Sequence, residues 1–151
     1  MMKIALASDH RGFKLKNILI DYLEKKGYSL IDFGTFSRDS CDYTDYVYPA
    51  VRAVKEKKAE IAIVICYSGI GSSIVANRLK GIRAALVFNI KMAALSRKHN
   101  DSNVLALAAG FLTYDYAKKI VARWLNTDFE GGRHRRRLKK IEDIEEGECS
   151  I

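Results

Sequence analysis

Along most of the chain, short apolar runs alternate with stretches in which apolar residues return every third or fourth position. Residues 3–8, KIALAS, read as a first buried strand. Behind them Leu15, Ile18, Leu19, Tyr22 and Leu23 trace one helix face, which Gly27 ends after Lys25 and Lys26. Residues 28–34, YSLIDFG, read as a second strand, 35–44 as a polar loop, and Val47, Ala50, Val51 and Val54 as a second helix. The third strand is 61–67, IAIVICY, so rich in Ile and Val that it suits a sheet covered on both faces. A helix is predicted from Ser72 to Leu79, a fourth strand over 82–88, a helix over 90–98 and a fifth strand over 103–109. Ala117, Ile120, Val121, Trp124 and Leu125 then line a longer helix, and Leu138, Ile141 and Ile144 a last amphipathic piece beyond Gly131 and Gly132.

Strands that alternate with helices, and are nearly continuous in apolar residues, predict an α/β fold: a Rossmann-like three-layer sandwich around a five-stranded parallel sheet. The length of 151 residues suits one domain, 1–151, with no internal repeat or linker. The Arg-rich segment from about 129 to 151 is weakly tied to the core by its pattern and is expected to pack on a partner subunit.

Composition narrows the function classes. No apolar run approaches the ~20 residues of a membrane span, and the opening MMKIALASDHRGFK lacks the long apolar core of a secretory signal. The expectation is a cytoplasmic protein with no membrane partner. Cys41, Cys66 and Cys149 are odd in number and without CxxC spacing, so neither a disulfide framework nor a cysteine metal site is expected. Cys41 and Cys149 are expected to be solvent-exposed spectators. The net charge of +8 invites a nucleic-acid reading, yet residues 133–140, RHRRRLKK, hold six of the 26 Lys and Arg and no interleaved aromatic residue. A nucleic-acid binder would show tight, steeply salt-dependent binding, and that partner is not expected. A dinucleotide fold would need GxGxxG after the first strand, which is missing.

In such a sheet ligands collect beyond the carboxyl ends of the strands. Four candidate groups are expected to converge there: Asp9 and His10 after the first strand, Asp42 and Tyr43 after the second, Cys66 and Ser68 after the third, and His99 and Asn100 before the fifth. In the stretch VICYSGIGSSIVANR (64–78), Gly69 and Gly71 permit a tight turn, and Ser72 and Ser73 start a helix. Free N–H groups at such a helix start can hold a phosphate or a developing oxyanion. An ordinary strand-to-helix turn with Ser72 as N-cap fits equally well. Cys66 reads either as a buried core cysteine or as a thiolate favoured by the nearby helix start.

Taken together, SDHRGFKLK (8–16), DYTDY (42–46), VICYSGIGSSIVANRLKGIRAA (64–85), LSRKHNDSNVLAL (95–107) and FEGGRHRRR (129–137) resemble the B type of ribose-5-phosphate isomerase. The resemblance spans nearly the whole chain and extends to galactose-6-phosphate isomerase subunits. It implies an aldose–ketose isomerase that interconverts D-ribose 5-phosphate and D-ribulose 5-phosphate through an enediolate, with neither metal nor cofactor. Cys66 would be the base and Ser68 would help move protons between the two oxygens. Backbone groups around Gly69, Gly71, Ser72 and Ser73 would hold the enediolate. His99, helped by Asp9, would open the furanose ring, with Asn100 in the same pocket. Asp42 and Tyr43 would line the sugar site, and His10, Arg133 and Arg137 would hold the phosphate. The implied assembly is a homodimer or dimer of dimers with shared sites. The resemblance leaves a hexose 6-phosphate (allose or galactose 6-phosphate) as the alternative substrate. Two positions depart from the family pattern: Tyr67 stands where relatives usually have glycine, and Gly110 where they often have a phosphate-binding arginine. Lys91 or a further tail arginine is expected to replace that contact.

Overall fold

The computed structural model describes residues 1–148; Cys149, and with it the expectation of a spectator thiol, lies outside the described residues. The predicted strands form as β1 (Lys3–Ser8), β2 (Ser29–Asp32), β3 (Ile61–Cys66), β4 (Ala84–Leu86) and β5 (Val104–Ala108). They pair in parallel in the order β2-β1-β3-β5-β4, an α/β sheet as expected. Six helices accompany them: α1 (Phe13–Lys25), α2 (Tyr43–Lys55), α3 (Ile70–Ala76), α4 (Ile90–Asn100), α5 (Tyr114–Leu125) and α6 (Arg133–Glu145).

The period of two along the strands sorts the core into two unlike halves. Ile4, Leu6, Ile61, Ile63, Ile65, Leu105 and Leu107 face α1, α4 and α5, where Leu15, Leu19, Leu23, Ile120, Val121 and Trp124 complete a layer of large side chains. Ala5, Ala7, Ala62, Val64, Val104 and Ala106 point the other way, toward Val47, Ala50 and Val51 of α2 and Ala76 of α3. Alanine takes little depth, so this second layer is thin. Right-handed crossovers explain the assignment. The chain moves to one side of β1 to make β2, which puts α1 on one face. It then moves in the opposite sense through β3 to β4, which puts α2 and α3 on the other. The return from β4 to β5 brings α4 back beside α1. The boundary between β1 and β3 is therefore a topological switch point, where the turns leaving two neighbouring strands diverge and leave a crevice.

Helix ends differ from expectation where backbone geometry outweighs the apolar pattern. The start of α3 is Ile70, two residues before Ser72, because Gly69 adopts a left-handed φ of 71° and serves as N-cap. The start of α2 is Tyr43, within the predicted polar loop, with Asp42 as N-cap in extended geometry. Strands β2 and β4 are shorter than their apolar runs. The last helix is anchored to its own chain: Leu138 is buried, and the Gly81 N–H donates to Glu145 at 2.9 Å. No helix of the described residues is long and apolar enough to cross a membrane.

Candidate active site

The carboxyl ends of β1, β3 and β5 are stitched together just beyond the sheet. Asp9 N–H donates to Ile65 O, Ala109 N–H to Cys66 O and Gly110 N–H to Tyr67 O, over 2.9–3.2 Å. Cys66 ends β3, 4% exposed, and continues the parity of Ala62 and Val64, so its thiol belongs to the thin α2/α3 side of the sheet. Asp9, also buried, accepts the N–H groups of Arg11 and Gly12 on Oδ1 at 2.9 and 3.0 Å and so shapes the entry into α1. One carboxylate oxygen does the capping, and the other has no such bond.

The glycine turn has two separate reasons for glycine. At Gly69 the positive φ favours it, and a Cβ there would collide with the Leu86 side chain and stand 3.1 Å from the Leu107 backbone. At Gly71 a Cβ would lie 2.6 Å from the Tyr43 ring, so the absent side chain lets Tyr43 of α2 close onto the turn. This joins the second and third expected groups. Ser68 Oγ accepts Ile70 N–H at 3.3 Å. Ser73 is engaged within the helix through its N–H, which donates to Gly69 O at 3.0 Å, and its Oγ, which donates to Ile70 O at 2.7 Å. Ser72 is not the cap. It is fully buried in the first turn and its Oγ has no partner among the described residues. Its N–H and that of Gly71 belong to a helix start without intrahelical acceptors.

His10 receives Cys41 N–H on Nδ1 at 3.2 Å, which makes Nε2 the protonated nitrogen of the neutral ring. Cys41 is accordingly no solvent-exposed spectator: it is half-buried, and its backbone orients His10. Asp42, next along, is exposed at the head of α2. Asp9, His10, Asp42, Tyr43, Cys66, Ser68, Gly69, Gly71, Ser72 and Ser73 thus share the carboxyl edge of the sheet.

His99 and Asn100 do not. In a parallel α/β sheet each helix begins at the carboxyl edge and runs back to the amino edge. They lie at the end of α4, whose 11 residues span about 16 Å. The Asn100 carbonyl accepts from Arg83, which precedes β4, and Asn103, which precedes β5, pairs with the Arg83 N–H at 2.8 Å. This corrects the expectation that all four groups converge on one edge of a single chain. What gathers at the amino edge is a second cluster, assembled from α4, the 127–132 segment and α6. Glu130 N–H donates to Lys98 O, and the rings of His99 and His134 stack at 4.3 Å with planes 13° apart. Arg133 and Arg137 are exposed on the same first turns of α6.

His134 is 6% exposed. Burial pushes its pKa below the ordinary imidazole value, and the neighbouring His99, Arg133 and Arg137 push the same way, with Glu130 opposing. The nitrogens of His99 and His134 and a Glu130 oxygen lie within 4.8 Å of one another. Nearly parallel stacked rings direct their in-plane lone pairs side by side rather than toward one point, so the arrangement fits ring stacking better than a metal cage.

Two features carried no clear sequence signal. Lys16 of α1, with its side chain fully buried, forks onto both oxygens of Asp32 at the end of β2, at 2.5 and 2.6 Å. Its helical spacing placed it beside Leu15 and Leu19, and nothing in that spacing named a partner. Tyr67 and Gly110, read as separate departures, are one feature: the Tyr67 ring occupies the space a residue-110 side chain would need. The cation beside that ring is Arg11.

The chain is similar to known proteins over nearly its whole length. A family model described as Ribose/Galactose Isomerase matches residues 4–141. The chain is 42% identical to Ribose-5-phosphate isomerase B of Escherichia coli, over 97% of this chain and 98% of that protein. Its fold matches Ribose-5-Phosphate Isomerase B of Clostridium thermocellum with a TM-score of 0.96 and 47% identity, covering 98% of this chain and 100% of the other. It also matches Ribose-5-phosphate Isomerase B of Mycoplasma genitalium with bound ribulose-5-phosphate, with a TM-score of 0.93 and 40% identity, covering 96% and 97%. With the matched residues running from β1 into α6, the chain belongs to the Ribose/Galactose Isomerase family.

Proposed function

We propose that this protein is a ribose-5-phosphate isomerase of the B type, interconverting D-ribose 5-phosphate and D-ribulose 5-phosphate, and that Cys66 is its base. The observation that carries the mechanism is a buried thiol at the end of β3, three residues before Gly69. In the aldose-to-ketose direction the Cys66 thiolate takes the proton from C2, and the electron pair moves into the C1–C2 bond to give an enediolate. The thiol returns the proton at C1 while Ser68 relays the hydroxyl proton between the oxygens. No net oxidation occurs, so the chemistry needs no redox cofactor. The N–H groups of Gly71 and Ser72 would meet the enediolate charge.

His10 donates from Nε2 to the substrate phosphate, and Asp42 and Tyr43 line the sugar. Asp9 keeps one oxygen available for a substrate hydroxyl. His99, Asn100, Arg133 and Arg137 complete the site from a second copy of the chain, which makes the active unit a homodimer or a dimer of dimers. What supports this division is the distance along α4 between the sheet edges. The exposed arginines of α6 offer planar forks suited to a phosphate dianion. The setting would be cytoplasmic, with sugar phosphates as the partners and no nucleic acid.

The test is conversion of D-ribose 5-phosphate to ribulose 5-phosphate by purified protein in EDTA, beside Cys66→Ala. The expected outcome is turnover by the wild type and a loss of about 10²–10⁴-fold in kcat for the variant. Equal rates would remove Cys66 as the base. A wild type active only on allose 6-phosphate or galactose 6-phosphate would replace the substrate.

A further inference from the structure

We propose that Arg11 is a substrate-phosphate ligand of this enzyme and that Tyr67 is the positioning residue that holds it there. The Arg11 guanidinium lies 4.4 Å from the centroid of the Tyr67 ring, within cation–π range. It is exposed, and it has no carboxylate partner among the described residues. A cation in this state keeps its hydrogen-bond donors free for an incoming anion.

Both ends of the contact are fixed. Arg11 leaves a turn whose N–H is bonded to the buried Asp9 at 2.9 Å. Tyr67 follows Cys66 directly, and its carbonyl accepts the Gly110 N–H. Its ring lies against Gly110, where a Cβ would come within 2.5 Å of Tyr67 Cζ. Phe111 packs against it at 5.7 Å, and Phe88 meets Phe111 edge-on at 6.4 Å. Gly110 is thus the absence that lets Tyr67 pack there, and Tyr67 is the platform across which Arg11 reaches from β1 toward β3. The path crosses the switch-point crevice between the residue after His10 and the residue after Cys66. Arg11 and Tyr67 directly follow His10 and Cys66 in the chain, so an anion held there would lie beside both strand ends.

The inference rests on the isomerase reading for its substrate, but the site can be probed without turnover. Arg11→Met, Arg11→Lys, Tyr67→Leu, Tyr67→Phe and Gly110→Ala would be compared for KM and kcat with D-ribose 5-phosphate. In parallel, binding of inorganic phosphate would be followed by calorimetry, with circular dichroism as the folding control. Arg11→Met is expected to raise KM about 10–100-fold with a much smaller change in kcat, and to weaken phosphate binding in step. Arg11→Lys should recover part of the loss. Tyr67→Leu and Gly110→Ala should raise KM less, because they misplace the cation without removing it, and Tyr67→Phe should behave like the wild type since the ring is kept. KM and phosphate affinity within twofold of wild type in folded Arg11→Met would overturn the proposal. So would a Tyr67→Phe as impaired as Tyr67→Leu, which would make the hydroxyl the active part. If the wild type fails to turn over ribose 5-phosphate, the isomerase reading fails alone. Calorimetry then decides for Arg11, by loss of phosphate binding in the methionine variant or by its persistence.

Discussion

The two edges of the sheet carry different kinds of half-site. At the carboxyl edge Asp9, His10, Tyr43, Cys66 and the Gly69 turn are held by strand ends and by backbone hydrogen bonds between neighbouring turns. At the amino edge His99, Glu130, Arg133 and His134 are held by ring stacking, the exposed Lys98–Glu130 ion pair and the first turn of α6. The first set is tied by backbone hydrogen bonds and contains a buried thiol. The second offers exposed positive charge and a partly exposed imidazole. Neither resembles a complete site for a phosphorylated sugar, and no backbone path within one chain brings them together. The proposed closed dimer would do so if its two-fold axis set the amino edge of each copy against the carboxyl edge of the other, forming two equal sites.

The largest expected effect follows from that division. Cys66→Ala and His99→Asn should each be inactive as pure proteins. Co-expressed with different tags, a mixed dimer carries both lesions in one site and neither in the other. Random assortment then restores about a quarter of wild-type activity. Mixed dimers isolated by their two tags that remain inactive would put both residues in the same chain's site and break the comparison.

The carboxyl half-site was the more legible of the two in sequence, for a physical reason. Strand-end residues are positioned by their own strand, so an apolar run followed by Cys66, Ser68 and Gly69 already states where those groups must be. The amino half-site depends on helix direction. Reading His99 and Asn100 as neighbours of the fifth strand is correct along the chain, yet they precede that strand and therefore stand at its amino end. Tyr67, Gly110 and Arg11 show a different limit. They are separated by more than forty residues on one side and fifty on the other, and only the sheet order sets β1, β3 and β5 side by side. A vacancy at residue 110 and a ring at residue 67 cannot be matched from local patterns. The Lys16–Asp32 pair was hidden because lysine at a buried helix position gives no sign of its partner.

That pair provides the next effect in size. Asp32→Ala leaves the fully buried Lys16 ammonium without its carboxylate, between α1 and the end of β2. With Asp32 itself 29% exposed, the expected loss is about 2–3 kcal/mol, below the usual range for a fully buried pair. At the amino edge Asp101 also pairs with two cations, Arg83 and Arg97, but its side chain is 35% exposed. Asp101→Asn should cost less than about 1 kcal/mol. Urea unfolding of the two variants compares the edges directly. Equal losses would mean that burial does not distinguish them.

The smallest effect concerns the stack at the amino edge. His134 resists protonation because it is buried beside His99, Arg133 and Arg137, and Glu130 only partly offsets them. Its folded pKa therefore lies below the ordinary 6.5, which the unfolded chain retains. Above 6.5 both states leave the ring neutral, and His134 contributes nothing to pH dependence. Between 6.5 and the lower folded value the unfolded chain binds a proton that the folded chain refuses, so stability falls as the solution is made more acidic. His134→Phe keeps a flat ring against His99 and cannot titrate, so it should flatten this part of the slope. Urea midpoints at pH 7.5 and 5.5 should show the wild type losing more stability on acidification than the variant. Parallel losses would place the acid sensitivity elsewhere, and would leave His134 as a packing partner of His99 whose charge state the fold does not restrain.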